Sequence, residues 1–229
     1  MGLLLHIDTA TEYASVCLSK DGISIGFAAN ADQKNHGSFL QPAIQNIFKT
    51  IDFSLNDIDA ISVSNGPGSY TGLRVGLASA KGLCYALNKP LITINTLEII
   101  ANAAIENMLQ NESIESSMLF CPLIDARRME VFTAIYNQSL KNIETPSAKI
   151  LDETTFTHIL KQHKIVFCGS GSEKLKTVLQ HPSAIFSSMQ HNSSHLINIA
   201  EQQFENKNYA NLAYIEPYYL KEFYIPQKS

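Results

Sequence analysis

The chain has 229 residues, 17 Lys+Arg against 21 Asp+Glu for a formal net charge of −4, 4 Cys and no Trp. That length makes one large domain or two small ones, and with no Lys/Arg run longer than Arg127-Arg128 the chain by itself lacks the electrostatic footprint of a strong nucleic-acid binder. Cys17, Cys84, Cys121 and Cys168 are widely spaced without a C-x-x-C pair, which argues against a zinc knuckle or disulfide framework and reads as buried small hydrophobes in a reducing compartment.

No run of about 18 apolar residues is present, and the opening Met1-Gly-Leu-Leu-Leu-His-Ile-Asp8 has no basic n-region, so neither a membrane span nor a signal peptide is expected and the expected location is cytoplasmic. The short apolar runs Leu3 to Ile7, Ala14 to Leu18 and, after the turn pair Asp21-Gly22, Ile23 to Ala28 predict a β-meander. From Gly37 the period becomes helical: Leu40, Ala43, Ile44, Ile47, Phe48 and Ile51 form one broad apolar face, with Pro42 expected within the first turn. Ile58 to Val63 predicts a strand that ends in Asn65-Gly-Pro-Gly-Ser-Tyr-Thr-Gly72. A second helix follows, marked by Leu73, Leu77, Ala80, Leu83, Cys84 and Leu87. Leu91 to Ile94 is a further strand, and Asn95-Thr-Leu-Glu98 has capping-box spacing before a helix to about Leu109.

The polar stretch from Gln110 to Ser117 is the expected boundary between an N-terminal part, 1–110, and a C-terminal part, 111–229. Strands are expected at Leu119 to Ile124, Met129 to Tyr136 and Ile165 to Cys168, with helices from about Ser172 to Leu179 and from Ser194 to Phe204. No internal repeat is evident. The order of elements predicts an α/β fold in which antiparallel and parallel pairing coexist.

The Gly-rich stretch fails both standard nucleotide motifs. No Gly-Lys pair stands at the Walker A offset, and Gly72 falls one residue late for G-x-G-x-x-G. What remains is either a strand–loop–helix junction able to hold an anion, with Asp8, Gly66, Gly68, Ser69, Thr71 and Arg74 around it, or a junction whose glycines permit tight turns and close packing. Asp8 itself is either a phosphate-side carboxylate or a turn-forming residue. Gly72, Gly76 and Ala80, flanked by Ser79, recur every four residues and leave a shallow ridge for a helix of this chain or of another subunit. Asp125-Ala-Arg-Arg128 is either a charged hairpin turn or a contact patch formed by Asp125, Arg127 and Arg128. His191 and His195 stand at i and i+4, but Asn192 replaces the Glu of H-E-x-x-H, and Ser193 or Ser194 is read as a helix cap.

Leu5-His-Ile-Asp-Thr9, Gly66-Pro-Gly-Ser-Tyr-Thr-Gly-Leu-Arg-Val-Gly76 running on to Ala80-Lys-Gly-Leu83, Asp125-Ala-Arg-Arg-Met-Glu-Val-Phe132 and Tyr214-Ile-Glu-Pro-Tyr-Tyr-Leu220 closely resemble the bacterial TsaB family, in order and over essentially the whole chain. The resemblance implies an actin-like ATPase (ribonuclease H-like) fold of two subdomains with mixed β-sheets flanked by helices, the last helix packing back on the first subdomain. It implies a non-catalytic subunit that activates TsaD, the transferase that modifies the adenosine beside the anticodon of tRNAs reading A-starting codons. TsaE joins the larger complex, the tRNA is met mainly through the complex, and the chain alone forms a homodimer. No cofactor is expected in this chain; ATP and a divalent metal are used by the partner subunits. In TsaD two His at i and i+4 on the first helix ligate the metal; here the matching positions are His36 and Leu40, which leaves that site incomplete. TsaB and TsaD pair through their first two helices, so the interface is expected at Leu40, Ala43, Ile44, Ile47, Gly72, Gly76, Ser79 and Ala80, with Gly76→Leu expected to abolish pairing but not folding. The rival reading is an autonomous actin-like ATPase or metal-dependent glycopeptidase.

Overall fold

The computed structural model describes residues 2–32, 36–111, 115 and 117–221. Strand β1 (Leu3–Asp8) is buried along its whole length, which is why its sequence runs apolar rather than alternating. It pairs antiparallel with β2 (Ala14–Lys20), and β2 pairs antiparallel with β3 (Ile23–Asn30). The β2–β3 turn uses Asp21 at φ 51° and Gly22 at φ 80°, the two positive angles that match the twist of a tight hairpin. On the other side of β1 lie β4 (Ala60–Ser64) and β5 (Leu91–Ile94), both parallel, giving the order β3-β2-β1-β4-β5.

The second sheet is built from β6 (Leu119–Asp125), β7 (Glu130–Tyr136), β8 (Asn142–Ile150), β9 (Ile165–Cys168) and β10 (Ala184–Phe186), in the order β10-β9-β6-β7-β8. Counted from its own first strand this is the topology of the first sheet again: two antiparallel neighbours on one side and two parallel neighbours on the other. The fold is therefore a doubled α/β unit, the actin-like, ribonuclease H-like arrangement, although no repeat survives in the side chains.

Helices α1 (His36–Phe48) and α2 (Tyr70–Leu87) cover one face of the first sheet. Leu40, Ala43, Ile44 and Ile47 of α1 pack with Leu5, Ile7, Val16, Leu18 and Val63 in one core. Burying a Leu or Ile side chain stabilises by about 1.5–3 kcal/mol, so this face alone anchors α1. Pro42 lies inside α1 rather than in its first turn; it has no amide to give the carbonyl four residues earlier, and it sits on the exposed side.

Helix α3 (Thr96–Asn111) lies between the sheets. Leu97, Ile100, Ala101, Ala104, Ile105 and Met108 pack against Phe120, Ala134 and Val166 of the second sheet, while Ile99 joins Leu4, Ala60, Ile92 and Ile94 of the first. Of the expected boundary stretch 110–117, residues 112–114 and 116 lie outside the described residues. Short helices α4 (Thr157–Leu160) and α5 (Ser172–Lys176) flank the second sheet. Asn192, not Ser193 or Ser194, caps the 3₁₀ turn Ser193–Leu196 by accepting from the Ser194 amide, and the turn leads into α6 (Ile197–Glu205). Ile199 and Ala200 of α6 pack on Leu4 and Ile92, returning the chain to the first sheet.

The same face of the first sheet carries a polar row. His6 is fully buried, with its ring nitrogens 2.7 Å from the hydroxyls of Ser62 and Ser19. Burial without a countercharge lowers its pKa to about 3, so the ring is neutral, and each serine accepts from or donates to it according to the tautomer.

Candidate functional site

The Gly-rich loop is where the structure decides between the two readings of the sequence. Ser69 caps α2, its hydroxyl accepting from the Gly72 amide at 3.3 Å. The Ser69 amide donates to the Ala10 carbonyl at 2.7 Å, and the Gly66 amide to Thr96 Oγ1 at 3.1 Å. The amides an anion would need at Gly66, Ser69 and Gly72 are thus engaged by the chain itself. A Cβ on Gly68 would lie 2.3 Å from the Ala10 carbonyl oxygen, and one on Gly72 would lie 2.0 Å from that of Thr9. These glycines admit the β1–β2 loop rather than a phosphate, so the expected anion loop of Asp8, Gly66, Gly68, Ser69, Thr71 and Arg74 is corrected to a packing junction. Arg74 stacks on Tyr70, 4.0 Å from its ring centroid, and donates to the Tyr219 hydroxyl at 3.1 Å. Thr71 is exposed on the outer side of α2.

The C-terminal tail closes the loop from outside, a role its sequence did not announce. The Tyr218 amide donates to the Asn65 carbonyl at 2.7 Å, Lys81 reaches the Ile215 carbonyl at 3.2 Å, and Tyr219 stacks on Tyr70 at 5.2 Å. Gly66, at φ 109°, makes the crossing possible: a Cβ there would meet the Tyr218 carbonyl oxygen at 2.4 Å. Two residues on, Lys221 pairs with Glu130 of the second sheet at 2.5 Å, so the tail ties the halves together.

Asp8 also turns inward. It is fully buried, with Oδ1 accepting from the Ala10 amide at 3.1 Å and Oδ2 3.3 Å from His191 Nε2. His191 is buried as well; desolvation lowers its pKa, while Asp8 works in the other direction. His195 Nδ1 accepts from the Asn192 amide at 3.0 Å, so the two histidines serve a buried pair and a cap. At the position of the resembled metal pair, His36 Nε2 faces the Glu12 carbonyl at 3.2 Å and Leu40 is fully buried in the core. Among the described residues no cluster of three or more His, Cys, Asp or Glu is placed to hold a metal.

The expected interface residues are brought together, but on the inside. Leu40, Ala43, Ile44, Ile47, Gly72, Gly76 and Ala80 are all buried in the chain's own core, and Ser79 is half-buried. A Cβ on Gly76 would approach Thr9 Oγ1 at 2.3 Å. The ridge receives the β1–β2 loop, and Gly76→Leu is corrected from an interface test to a folding defect. What α1 and α2 offer outward is the opposite side: Gln41, Pro42, Gln45 and Asn46 on α1, and Thr71, Arg74, Ala78, Gly82, Tyr85 and Ala86 on α2. Arg74 is the one charged residue among the exposed positions of the two helices, and Tyr85 is 83% exposed. A helix face that stays in water usually carries charge; this one is small, amide-rich and aromatic. Its stripe at 71, 74, 78, 82 and 85 was legible in the spacing, but the apolar stripe beside it drew the assignment.

Asp125, Arg127 and Arg128 form the β6–β7 turn. The Arg127 amide donates to Asp125 Oδ1 at 2.6 Å, and Lys174 pairs with the same oxygen at 2.7 Å. Arg127 (φ 70°) and Arg128 (φ 49°) both adopt the left-handed region, at a cost of roughly 1–3 kcal/mol each for a non-glycine residue.

Residues 24–223 match the family model described as TsaD: tRNA N6-adenosine threonylcarbamoyltransferase. The chain is 34% identical over 140 residues to the tRNA threonylcarbamoyladenosine biosynthesis protein TsaB of Escherichia coli (strain K12), a match covering 61% of this chain and 57% of that protein. It is 27% identical over 196 residues to the TsaB protein of Bacillus subtilis (strain 168), covering 82% of each. The match to the Haemophilus influenzae TsaB protein is 37% over 129 residues, 56% of this chain and 51% of the relative. The matches thus span about half the length of two of these relatives and four-fifths of the third. The solved structure of YeaZ from Pseudomonas aeruginosa superposes with a TM-score of 0.83 at 23% identity, covering 96% of this chain and all of that one.

Proposed function

The chain belongs to the TsaB family, and from that premise we propose that it is the non-catalytic subunit that binds and activates the TsaD transferase in forming threonylcarbamoyladenosine on tRNA. The observation that carries the reading is the outer face of α1 and α2, where Ala78, Gly82 and Tyr85 line up with uncharged neighbours and with Arg74 as the single charge. Small residues let a second pair of helices approach closely, and an exposed Tyr supplies an anchor at low entropic cost. The glycines inside α2 serve the fold, so the partner meets this outer side. Residues 1–110 carry the docking face and 111–229 form the second subdomain. In this reading ATP and the divalent metal belong to TsaD and TsaE, TsaE joins the larger assembly, and without TsaD the same face pairs with a second copy. Among the described residues no helix is long and apolar enough to cross a membrane.

Gly82→Arg and Tyr85→Ala test this directly, since a Cβ at Gly82 meets nothing within 4 Å and Tyr85 is mostly exposed. Each variant is expected to keep the wild-type melting transition and to weaken TsaD binding by roughly 100-fold, the scale of a central interface residue. Modification of tRNA in a reconstituted reaction should fall in parallel. Unchanged affinity for TsaD in both variants would remove this face as the docking site, and modification without the chain would remove the function.

A further inference from the structure

We propose that the β6–β7 hairpin tip is a contact for the RNA phosphate backbone, with Arg127 and Arg128 as its two ligands. The inference deepens the reading above, since the polyanion that a tRNA-modifying assembly handles is the tRNA. The charges around the hairpin are almost all matched. Asp125 pairs with Lys174 at 2.7 Å, Lys174 also donates to the Glu130 carbonyl at 3.1 Å, and Glu130 pairs with Lys221 at 2.5 Å. Each acid of the turn therefore has its own lysine. Arg127 and Arg128 are exposed, and neither guanidinium makes a hydrogen bond or ion pair with a described residue.

Two uncompensated positive charges thus sit together on a chain whose net charge is −4. The backbone adds to this. Both arginines hold left-handed angles that a non-glycine residue adopts only when its surroundings impose them, and the amide of Arg127 is fixed on the carboxylate of Asp125 at 2.6 Å. The turn thereby presents two consecutive guanidiniums without spending either on the fold. Guanidinium forks suit phosphate oxygens, and a local positive spot steers a polyanion even when the whole molecule is acidic. The hairpin belongs to the second sheet, away from α1 and α2, so RNA contact and partner docking use different surfaces.

The test uses the complex of this chain with TsaD and an unmodified tRNA transcript, with affinity measured by fluorescence anisotropy over a series of salt concentrations. Arg127→Asn/Arg128→Asn removes both charges while keeping a residue type that tolerates the left-handed region. The expected result is a tRNA affinity about tenfold or more lower and a salt slope smaller by about two phosphate contacts. Arg127→Lys/Arg128→Lys should restore most of the slope, and the mass of the heterodimer should be unchanged. Unaltered affinity and slope in an intact heterodimer would overturn the assignment. A loss of TsaD affinity with unaltered tRNA binding by the chain alone would also overturn it, placing the arginines against protein. If the wild-type chain forms no complex with TsaD, the proposed function fails, and the same variants measured alone against the transcript still decide the RNA contact: a smaller slope supports it and an equal one rejects it.

Discussion

Replacing Gly72 by alanine is expected to cost the fold about 3 kcal/mol or more, the range reached when backbone must move to admit a side chain. The added Cβ would stand 2.0 Å from the Thr9 carbonyl oxygen, a backbone atom with nowhere cheap to go. The same loop is fixed at two further points, by Thr9 Oγ1 donating to the Gly72 carbonyl at 2.7 Å and by the Ser69 amide donating to the Ala10 carbonyl at 2.7 Å. Moving Thr9 therefore breaks the contact that holds the start of α2 against the end of β1. Gly82, ten residues further along the same helix, gives the opposite expectation. Its Cβ would meet nothing within 4 Å, so Gly82→Ala removes a glycine from a helix interior and should stabilise by about 0.5–1 kcal/mol. Urea unfolding of the two variants beside the wild type, with the slope checked for constancy, measures both. A Gly72→Ala midpoint equal to the wild type would mean that the loop yields, and the glycine row would again be available for a partner helix.

The contrast between these two glycines shows where the sequence was readable and where it was not. Periodicity located β1 to β7, β9 and the main helices, because strands buried on one or both faces and helices with one apolar side write that burial into their spacing. It missed β8, whose Asn142, Glu144, Pro146 and Lys149 are tolerable only on an edge strand, and β10, which has three half-buried residues. The doubling of the topology was invisible because hydrogen-bonded pairing does not require matching side chains. At the candidate site, spacing identified an unusual row at Gly72, Gly76 and Ala80 but could not say what approached it. The approaching group was backbone from Thr9 and Ala10, and a carbonyl leaves no pattern in a sequence. Gly66 is the same case, since its partner is the Tyr218 carbonyl more than 150 positions away. Asp8 was taken for a free carboxylate at a strand end; its partner His191 comes from the far end of the chain and could be found only by folding it.

Acid should destabilise this protein well above the range where carboxylates titrate, and His6 is the main reason. Its ring lies between Ser19 and Ser62 with no carboxylate beside it, and burial holds its pKa near 3 against 6.5 for the exposed side chain. Between those values the unfolded chain binds a proton that the folded chain refuses. Stability is thus complete above about pH 6.5 and falls as the pH drops, by up to about 1.4 kcal/mol per pH unit for one such group. By pH 4.5 the expected loss from His6 is roughly 3 kcal/mol, a large part of a typical domain's stability. His191, lowered by its own burial against the pull of Asp8, adds in the same direction. Glu98 opposes it: burial raises its pKa, so the folded state takes up a proton first and the contribution is lost as pH rises. Asp57 and Asp152, held down by hydrogen bonds from Ser54 and Thr154, act only below the ordinary carboxylate range. Urea unfolding from pH 7 to pH 4.5 should therefore show a falling midpoint, and His6→Gln should start lower at pH 7 yet decline less. A variant whose decline matches the wild type would shift the acid sensitivity from the centre of the first sheet to the Asp8–His191 pair.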